Sequence, residues 1–204
     1  MTSIALIVEG PGDAIAFPTL VAKTGRLFDM DIYVKRPIIA GDFQKLSGSG
    51  IIERYVSLAS EHSDVESVLV AIDLDDLCVL DVQNAFRDRI TGAANTKGKL
   101  GRLCFCVREY EAWLVHSIED LFPENSINRT SLDSYQTEPE SIRGAKEALT
   151  EILGKKYKPT VHQNEYTKKM NLKELYRKSR SYRKFCKEIT QLDYEAMRIY
   201  LSDK

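Results

Sequence analysis

The feature that most constrains the fold is a short apolar run that ends in an acid. Residues 4–8 are all apolar, and they are followed at once by Glu9 and by the turn-forming sequence Gly10-Pro11-Gly12. A run this short, bounded by turn-forming residues, is typical of a β-strand that is buried on both faces. Strands of this kind occur in parallel sheets that helices cover on both sides. The chain is therefore expected to fold as an α/β protein.

A second run has the same form. Residues 68–72 are apolar and lead directly into Asp73 and Asp75. The carboxyl ends of neighbouring parallel strands meet at one edge of a sheet, so Glu9, Asp73 and Asp75 are expected to converge there. If the chain stays extended, Asp73 and Asp75 project to the same side. Carboxylates gathered in this way repel one another unless a cation lies among them, and oxygen ligands favour Mg²⁺ or Mn²⁺.

Two further strands complete the predicted sheet. Residues 31–39 alternate enough to form a less buried strand near an edge, where Pro37 is tolerated, and residues 103–107 form another buried strand. Helices are expected between the strands, in the order βαβαβαβ. The prediction is a mostly parallel four-stranded sheet flanked by helices, occupying residues 1–121.

Three more acids are candidate ligands, each with a structural alternative. Asp13 is well placed either as the N-cap of the first helix or as a metal ligand. Glu109 and Glu111 open a predicted helix after the last strand, where acids also interact favourably with the helix dipole. Because three successive strands end in carboxylates, Glu109 is favoured as an additional ligand or as a group that supports one, with Glu111 behind it.

The rest of the chain, residues 122–204, is expected to be an irregular segment followed by a basic helical region that packs on the core. Between Lys155 and Lys187 there are twelve Lys or Arg residues and two acids, although the whole chain has a net charge of −1. A helix over residues 171–192 is expected to carry much of this charge.

A basic helix is often only a solvated surface, but beside an acidic metal site it favours contact with a nucleic-acid backbone. Tyr157 or Tyr166 would then be available to stack on bases. The expected nucleic-acid contacts are Lys155, Lys156, Lys158, Lys168, Lys169, Arg177, Arg180 and Arg183.

Several other classes of protein are disfavoured. Four cysteines at irregular positions do not indicate a disulfide framework, and the three histidines share no ligand spacing. No apolar segment approaches the roughly 20 residues of a membrane span, and the amino terminus lacks the features of a signal peptide. The expectation is a cytoplasmic protein without a membrane partner.

Taken together, these residues resemble the Toprim domain of topoisomerases, primases and OLD-type nucleases. They are more closely similar to small stand-alone Toprim-like proteins related to OLD nucleases, the domain of unknown function family 4276. Three stretches carry the resemblance, and they are Val8-Glu9-Gly10-Pro11-Gly12-Asp13, Glu109-Tyr110-Glu111-Ala112-Trp113-Leu114, and Pro139-Glu140-Ser141-Ile142 followed by Lys146.

The resemblance implies a Toprim-like, Rossmann-like fold that hydrolyses phosphodiester bonds of DNA or RNA. Glu9, Asp73 and Asp75 would form the Mg²⁺ or Mn²⁺ site, and Glu9 would serve either as ligand or as general base. Lys146 is the catalytic lysine included in this prediction, and Lys168 and Lys169 are the other candidates. The relatives also imply an ATPase partner protein and a role in phage defence.

Two other functions stay open, as does a homodimer. The first is a catalytically silent Toprim-fold subunit that binds an ATPase or nucleic acid. The second is a small-molecule phosphotransferase or phosphohydrolase built on a similar acidic edge.

Overall fold

The computed structural model describes residues 2–135 and 138–202, and it has the expected α/β architecture. A parallel sheet of five strands lies between layers of helices, with the strand order β2-β1-β4-β5 and with β3 also paired to β1. The strands are β1 (Thr2–Val8), β2 (Ile32–Val34), β3 (Ile38–Ile39), β4 (Ser67–Asp73) and β5 (Leu100–Cys106).

The segment expected to be one strand, residues 31–39, forms the two short strands β2 and β3. In β2, Ile32 pairs with Thr2, whereas in β3, Ile38 pairs with Ile7, so one extra residue separates the two pairings. The interruption contains Pro37, which has no backbone N–H to donate. The sheet therefore has five strands instead of four. The predicted position at an edge is confirmed.

The helices predicted between the strands are present. The first, α1, begins three residues earlier than an Asp13 N-cap would place it, because Gly10 is its N-cap. Asp13 lies in the first turn, where its Oδ2 accepts a hydrogen bond of 3.0 Å from the Gly10 N–H. The helices up to residue 121 are α1 (Pro11–Leu27), α2 (Phe43–Ser47), α3 (Ile51–Ala59), α4 (Val79–Asn95), α5 (Tyr110–His116) and α6 (Ile118–Leu121).

Beyond residue 121 the chain forms short helices separated by turns. The single helix expected over residues 171–192 is wrong, since the chain is extended at Ser179 and the Ser179 hydroxyl caps a new helix by accepting from the Tyr182 N–H. The helices are α7 (Arg129–Ser134), α8 (Ala145–Leu153), α9 (Asn164–Lys169), α10 (Leu172–Lys178), α11 (Arg180–Thr190) and α12 (Tyr194–Ser202), with a π-helical turn at Pro159–Gln163 and 3₁₀ turns at Glu124–Ser126 and Pro139–Ser141.

Alternate strand residues face two separate apolar clusters, as the twofold periodicity of a strand requires. Ala5 and Ile7 of β1 pack with residues of α3 and α4. Leu6 and Val8 pack with residues of α1, α5 and the later helices, including α11. Residues beyond 121 therefore supply part of the layer that covers one face of the sheet.

Aromatic side chains join the two parts of the chain within this layer. The rings of Phe17 and Tyr110 have their centroids 5.1 Å apart, and the rings of Trp113 and Tyr182 have theirs 5.5 Å apart. The Trp113 Nε1–H also donates to the Ser181 hydroxyl over 3.0 Å. Each of these large buried side chains contributes on the order of 2 kcal/mol through burial.

Of the helices within residues 2–135 and 138–202, none combines the length and the apolar character needed to cross a bilayer. All four cysteines are free, and Cys104, Cys106 and Cys186 are buried.

Candidate active site at the carboxyl edge of the sheet

A cavity of about 380 Å³ lies where β1 and β4 end. Among the described residues, Lys146 supplies the only cationic side chain of its wall. Backbone and neutral side chains from the start of α1 and from the π-helical turn complete the wall. The carboxyl groups that line the cavity are those of Glu9, Asp13, Asp42, Asp73 and Glu111.

Glu9, which directly follows β1, and Asp73, the last residue of β4, are held by backbone N–H groups. The Asp73 N–H donates to Glu9 Oε1 over 3.1 Å, and the Tyr110 N–H donates to Asp73 Oδ1 over 3.1 Å. These bonds fix the two carboxyl groups at the ends of β1 and β4 and connect them to the start of α5. Convergence of acids from separate strands, expected from the parallel topology, is present at this position.

The two carboxyl groups are difficult to ionise together. Burial, followed by repulsion from Asp13, raises the pKa of Glu9 from 4.5 to about 8. Burial and then repulsion from Asp13, Glu111 and Glu9 raise the pKa of Asp73 well above its usual value. Both shifts have the direction that desolvation and like charges produce together.

Asp13 links the first turn of α1 to the π-helical turn. Besides the bond from Gly10, its Oδ1 accepts a hydrogen bond of 2.8 Å from Gln163 Nε2. Burial raises the pKa of Asp13 even though these two hydrogen bonds oppose the shift. The amide oxygen of Gln163 is buried and has no hydrogen-bond partner among the described residues.

Close approach of these two segments requires a glycine at position 12. A Cβ on Gly12 would lie 2.3 Å from Gln163 Oε1 and 2.7 Å from the Cβ of Pro159. No side chain larger than hydrogen fits there unless the π-helical turn moves. Gly12 therefore keeps the amide group of Gln163 beside Asp13.

Lys146 and the two glutamates of α5 form a connected group. Lys146 Nζ lies 2.8 Å from Glu109 Oε1 and 3.6 Å from Glu111 Oε2, while Glu109 Oε2 accepts a bond of 2.8 Å from the Ala145 N–H. Burial lowers the pKa of Lys146, but attraction to Glu111 and Glu109 outweighs burial, so the net pKa is raised. Lys146 is therefore protonated at neutral pH.

Glu111 is almost fully buried, and burial raises its pKa to about 7 despite the nearby Lys146. Tyr157, which is also buried, lies near enough for the Glu111 charge to affect its hydroxyl. Burial and the Glu111 carboxylate both raise the pKa of the Tyr157 hydroxyl, so this hydroxyl keeps its proton. The pKa of Glu111 therefore lies in the neutral range, with the Lys146 ammonium 3.6 Å away.

Asp75 is not arranged as expected. β4 ends at Asp73, and the φ of +47° at Asp75 places this residue in the left-handed region instead of in an extended strand. The prediction that Asp73 and Asp75 project together is therefore wrong. Asp75 is exposed at the rim of the cavity, where burial and then repulsion from Glu109 raise its pKa. Asp75 and Glu109 lie outside the cavity lining.

In the part of the chain that the structure describes, no three His, Cys, Asp or Glu side chains are arranged around a common point at which an ion could lie. The donor set is still chemically suited to Mg²⁺ or Mn²⁺, because it consists of carboxylate and amide oxygens. A cation would give the amide oxygen of Gln163 the partner that it lacks among the described residues. It would also offset the repulsion and burial that raise the pKa values of Glu9 and Asp73.

The basic region follows α1 along its length. The π-helical turn lies beside Gly12, and the Thr19 hydroxyl donates to Asn164 Oδ1 over 2.6 Å. Farther along, Lys23 Nζ donates to the carbonyl groups of Thr167, Lys168 and Met170. At the far end, the rings of Phe28 and Tyr176 are 6.2 Å apart. The 17 residues of α1 span about 25 Å, so this segment runs from the cavity to the opposite edge of the sheet.

Most of the predicted nucleic-acid contacts are exposed, namely Lys155, Lys156, Lys158, Lys168, Lys169, Arg177 and Arg180. Lys168 and Lys169 lie beside the middle of α1 and outside the cavity lining. Arg183 is partly buried, because its Nη1 donates to the carbonyl groups of Tyr176 and Arg177.

The expectation that Tyr157 or Tyr166 stacks on bases is wrong. Their exposed fractions are 5% and 1%, and both rings pack against the ring of His162. The Tyr166 ring also contacts Phe122, with the centroids 5.0 Å apart. Both tyrosines belong to the core beneath the π-helical turn.

Sequence reasoning missed Asp42 and Gln163. Asp42 follows a glycine with a φ of +90° and caps α2 by accepting from the Lys45 N–H, a local pattern that could have been recognised. Nothing local marks Gln163, since its contact with Asp13 joins positions 150 residues apart.

The comparisons with known proteins gave one match. The family model described as Domain of unknown function (DUF4276) matches residues 8–190, which is most of the chain. Searches of curated proteins and of solved structures gave no match.

Proposed function

We propose that this protein, which belongs to the DUF4276 family, hydrolyses phosphodiester bonds of nucleic acid with a divalent cation, Mg²⁺ or Mn²⁺. The observation that carries the proposal is the cavity, to which the described part of the chain contributes five carboxyl groups and a single amine. Without a cation, burial and repulsion keep protons on part of this group at neutral pH. A bound cation would replace those protons.

Glu9, Asp13 and Asp73 are the residues that would hold the cation, together with the free amide oxygen of Gln163. Asp75 and Glu109 would act from the rim. When bound, a divalent cation would polarise the phosphate and lower the pKa of a water molecule. The proposed relationship to Toprim and OLD-type nucleases rests on this placement of Glu9 and Asp73 at the ends of neighbouring parallel strands.

Lys146 would stabilise negative charge on the phosphate. Its ammonium group is fixed by Glu109 and Glu111 at the cavity wall, and its raised pKa excludes a role as general base at neutral pH. Glu111, with a pKa of about 7, is able to accept or return a proton in the same range. Glu9 remains either a ligand or a base.

The position of the basic region supports a polymeric substrate. Exposed lysines and arginines occur along the segment that follows α1 from the cavity for about 25 Å, which corresponds to about seven phosphates at 3.4 Å each. A small phosphorylated substrate would need only the cavity. The wider proposal includes an ATPase partner and a role in phage defence.

The proposal is tested by incubating purified protein with plasmid, single-stranded DNA and transfer RNA in Mg²⁺, Mn²⁺ or EDTA. Cleavage is expected with either metal and is expected to be lost in Glu9→Gln and Asp73→Asn. Matched controls are Glu61→Gln and Asp81→Asn, which neutralise exposed acids whose side chains make no hydrogen bond or ion pair with residues 2–135 and 138–202. Cleavage that survives unchanged in both cavity variants would refute the mechanism.

A catalytically silent binding subunit is the second candidate. It is favoured by the absence, among the described residues, of three acidic side chains arranged around one point. This candidate predicts salt-dependent binding of nucleic acid without cleavage in any metal, and cleavage only when an ATPase partner is added. Cleavage by the purified protein alone would rule it out.

A further inference from the structure

We propose that the protein has a second ligand site, a groove that binds a nucleotide unit at the end of α1 opposite the cavity. The groove has a volume of about 400 Å³ and is lined by Tyr176, Arg180, Arg183, Tyr194 and Arg198. Among the described residues, no carboxylate contributes to its lining. None of these residues belongs to the wall of the carboxylate cavity, so this proposal does not depend on hydrolysis.

The three arginines are available to an anion in different ways. Arg180 is exposed and makes no hydrogen bond or ion pair with the described residues. Arg183 is fixed in place because its Nη1 donates to the carbonyl groups of Tyr176 (2.9 Å) and Arg177 (3.0 Å), and its other N–H groups are left for a ligand. A guanidinium anchored in this way is preorganised to bind phosphate.

Arg198 pairs with Glu195, whose Oε1 lies 2.7 Å from Arg198 Nη2. Both side chains are mostly exposed, at 74% and 64%, so water and salt screen the pair and its net strength is small. A doubly charged phosphate that bridges two guanidinium groups is a stronger partner than this single carboxylate. Arg198 can therefore exchange Glu195 for a ligand at little cost.

The groove also offers an aromatic surface. The ring of Tyr194 is 47% exposed, and Lys187 Nζ lies 4.9 Å from its centroid. Lys187 adds a fourth positive charge beside the groove. Arginines for a phosphate together with an exposed ring for a base are the combination that binds nucleotides, because stacking tolerates any base and the guanidinium groups bind any phosphate.

The size and position of the groove define the ligand further. A volume of about 400 Å³ is within the range of small-molecule sites and suits one nucleotide rather than a duplex. Because Tyr176 contacts Phe28 just beyond the end of α1, the groove lies about 25 Å from the carboxylate cavity. The nucleotide is either free in solution or one unit of a nucleic-acid strand that follows the basic region.

The test measures binding by titration calorimetry at low salt, in EDTA so that no cleavage occurs. The ligands are inorganic phosphate, adenosine monophosphate and a single-stranded oligonucleotide. Arg180→Gln/Arg198→Gln is expected to weaken binding of the mononucleotide or of the oligonucleotide by about tenfold or more. The control, Arg36→Gln/Lys97→Gln, removes the same charge from exposed positions without ion pairs and is expected to change binding less than about twofold.

A second variant tests the aromatic part. Tyr194→Leu is expected to weaken nucleotide binding by about tenfold while leaving phosphate binding unchanged, because only the base is stacked. Tight binding of the free mononucleotide identifies a soluble ligand, and binding of the oligonucleotide alone identifies a strand. The proposal is overturned if no ligand binds, or if the groove variant, still folded by its thermal melt, binds every ligand as tightly as the control does.

Discussion

The raised pKa of Glu9 leads to a quantitative prediction for the stability of the metal-free protein. The pKa of Glu9 is about 8 in the folded state, against 4.5 when the group is free. Below pH 4.5 both the folded and the unfolded states are protonated, so Glu9 does not affect the free energy of unfolding. Between pH 4.5 and 8 the unfolded chain releases the proton and the folded protein keeps it, so folding becomes less favourable as the pH rises.

The size of the effect follows from the shift. One pKa unit corresponds to about 1.4 kcal/mol, and pH 7 lies about 2.5 units above the pKa of the free group, so without screening the cost at pH 7 would be about 3 kcal/mol. Because Glu9 is only partly buried, solvent screening lowers this to about 1–3 kcal/mol. Glu9→Gln removes the cost and retains an oxygen that can accept from the Asp73 N–H. The variant is therefore expected to be more stable than the wild type by that amount at pH 7 and equally stable at pH 4.5.

The assay is urea unfolding between pH 4.5 and 8.5 in EDTA, followed by the fluorescence of Trp113, the single and fully buried tryptophan. The difference between the two proteins reports Glu9 together with the relief of its repulsion on Asp13 and Asp73, and both effects favour the variant at high pH. Adding Mg²⁺ is expected to stabilise the wild type more at pH 8 than at pH 5. If the two proteins show the same pH dependence throughout this range, the raised pKa of Glu9 is wrong.

Two further predictions concern the walls of the cavity. Lys146→Met removes the ion pair with Glu109 and leaves the buried Glu111 without its cation. Thermal melts should therefore show a loss of about 1–3 kcal/mol at pH 8 and a smaller loss at pH 5, where Glu111 is protonated, and equal losses at both pH values would contradict this. Gly12→Ala places a methyl group 2.3 Å from Gln163 Oε1 and should destabilise the protein by about 1–3 kcal/mol in urea unfolding. The matched change Gly92→Ala, in α4 with open space at the Cβ position, should stabilise it by about 0.5–1 kcal/mol, and two losses of similar size would contradict the packing argument.

The fold could be predicted from the sequence where the signal is local and topology supplies the rest. Short apolar runs at residues 4–8 and 68–72 identified the central strands, and their parallel pairing brought Glu9 and Asp73 to one edge. The bend after β4 was missed, because the left-handed conformation of Asp75 is not encoded by a glycine. The expectation that Asp75 continues the extended chain of β4 was therefore wrong.

The part of the site that comes from distant sequence could not be predicted. Gln163 reaches Asp13 only because the π-helical turn packs on α1, and that packing depends on the absence of a side chain at Gly12. Tyr157 and Tyr166 are buried by packing against His162, and Tyr166 also packs against Phe122. A basic, aromatic stretch has the same composition whether its rings face solvent or the core, so composition alone could not distinguish the two.

The dependence of one sheet face on α11 also affects how the protein emerges from the ribosome. The side chains of Leu69 and Cys104 on that face are complete early in translation, but α1 and α5 cover the face only in part until Phe185 and its neighbours have been synthesised. Exposed apolar strands in such an intermediate are prone to aggregate and to recruit chaperones. Translation of the last third of the chain is therefore the stage at which the nascent protein is most vulnerable.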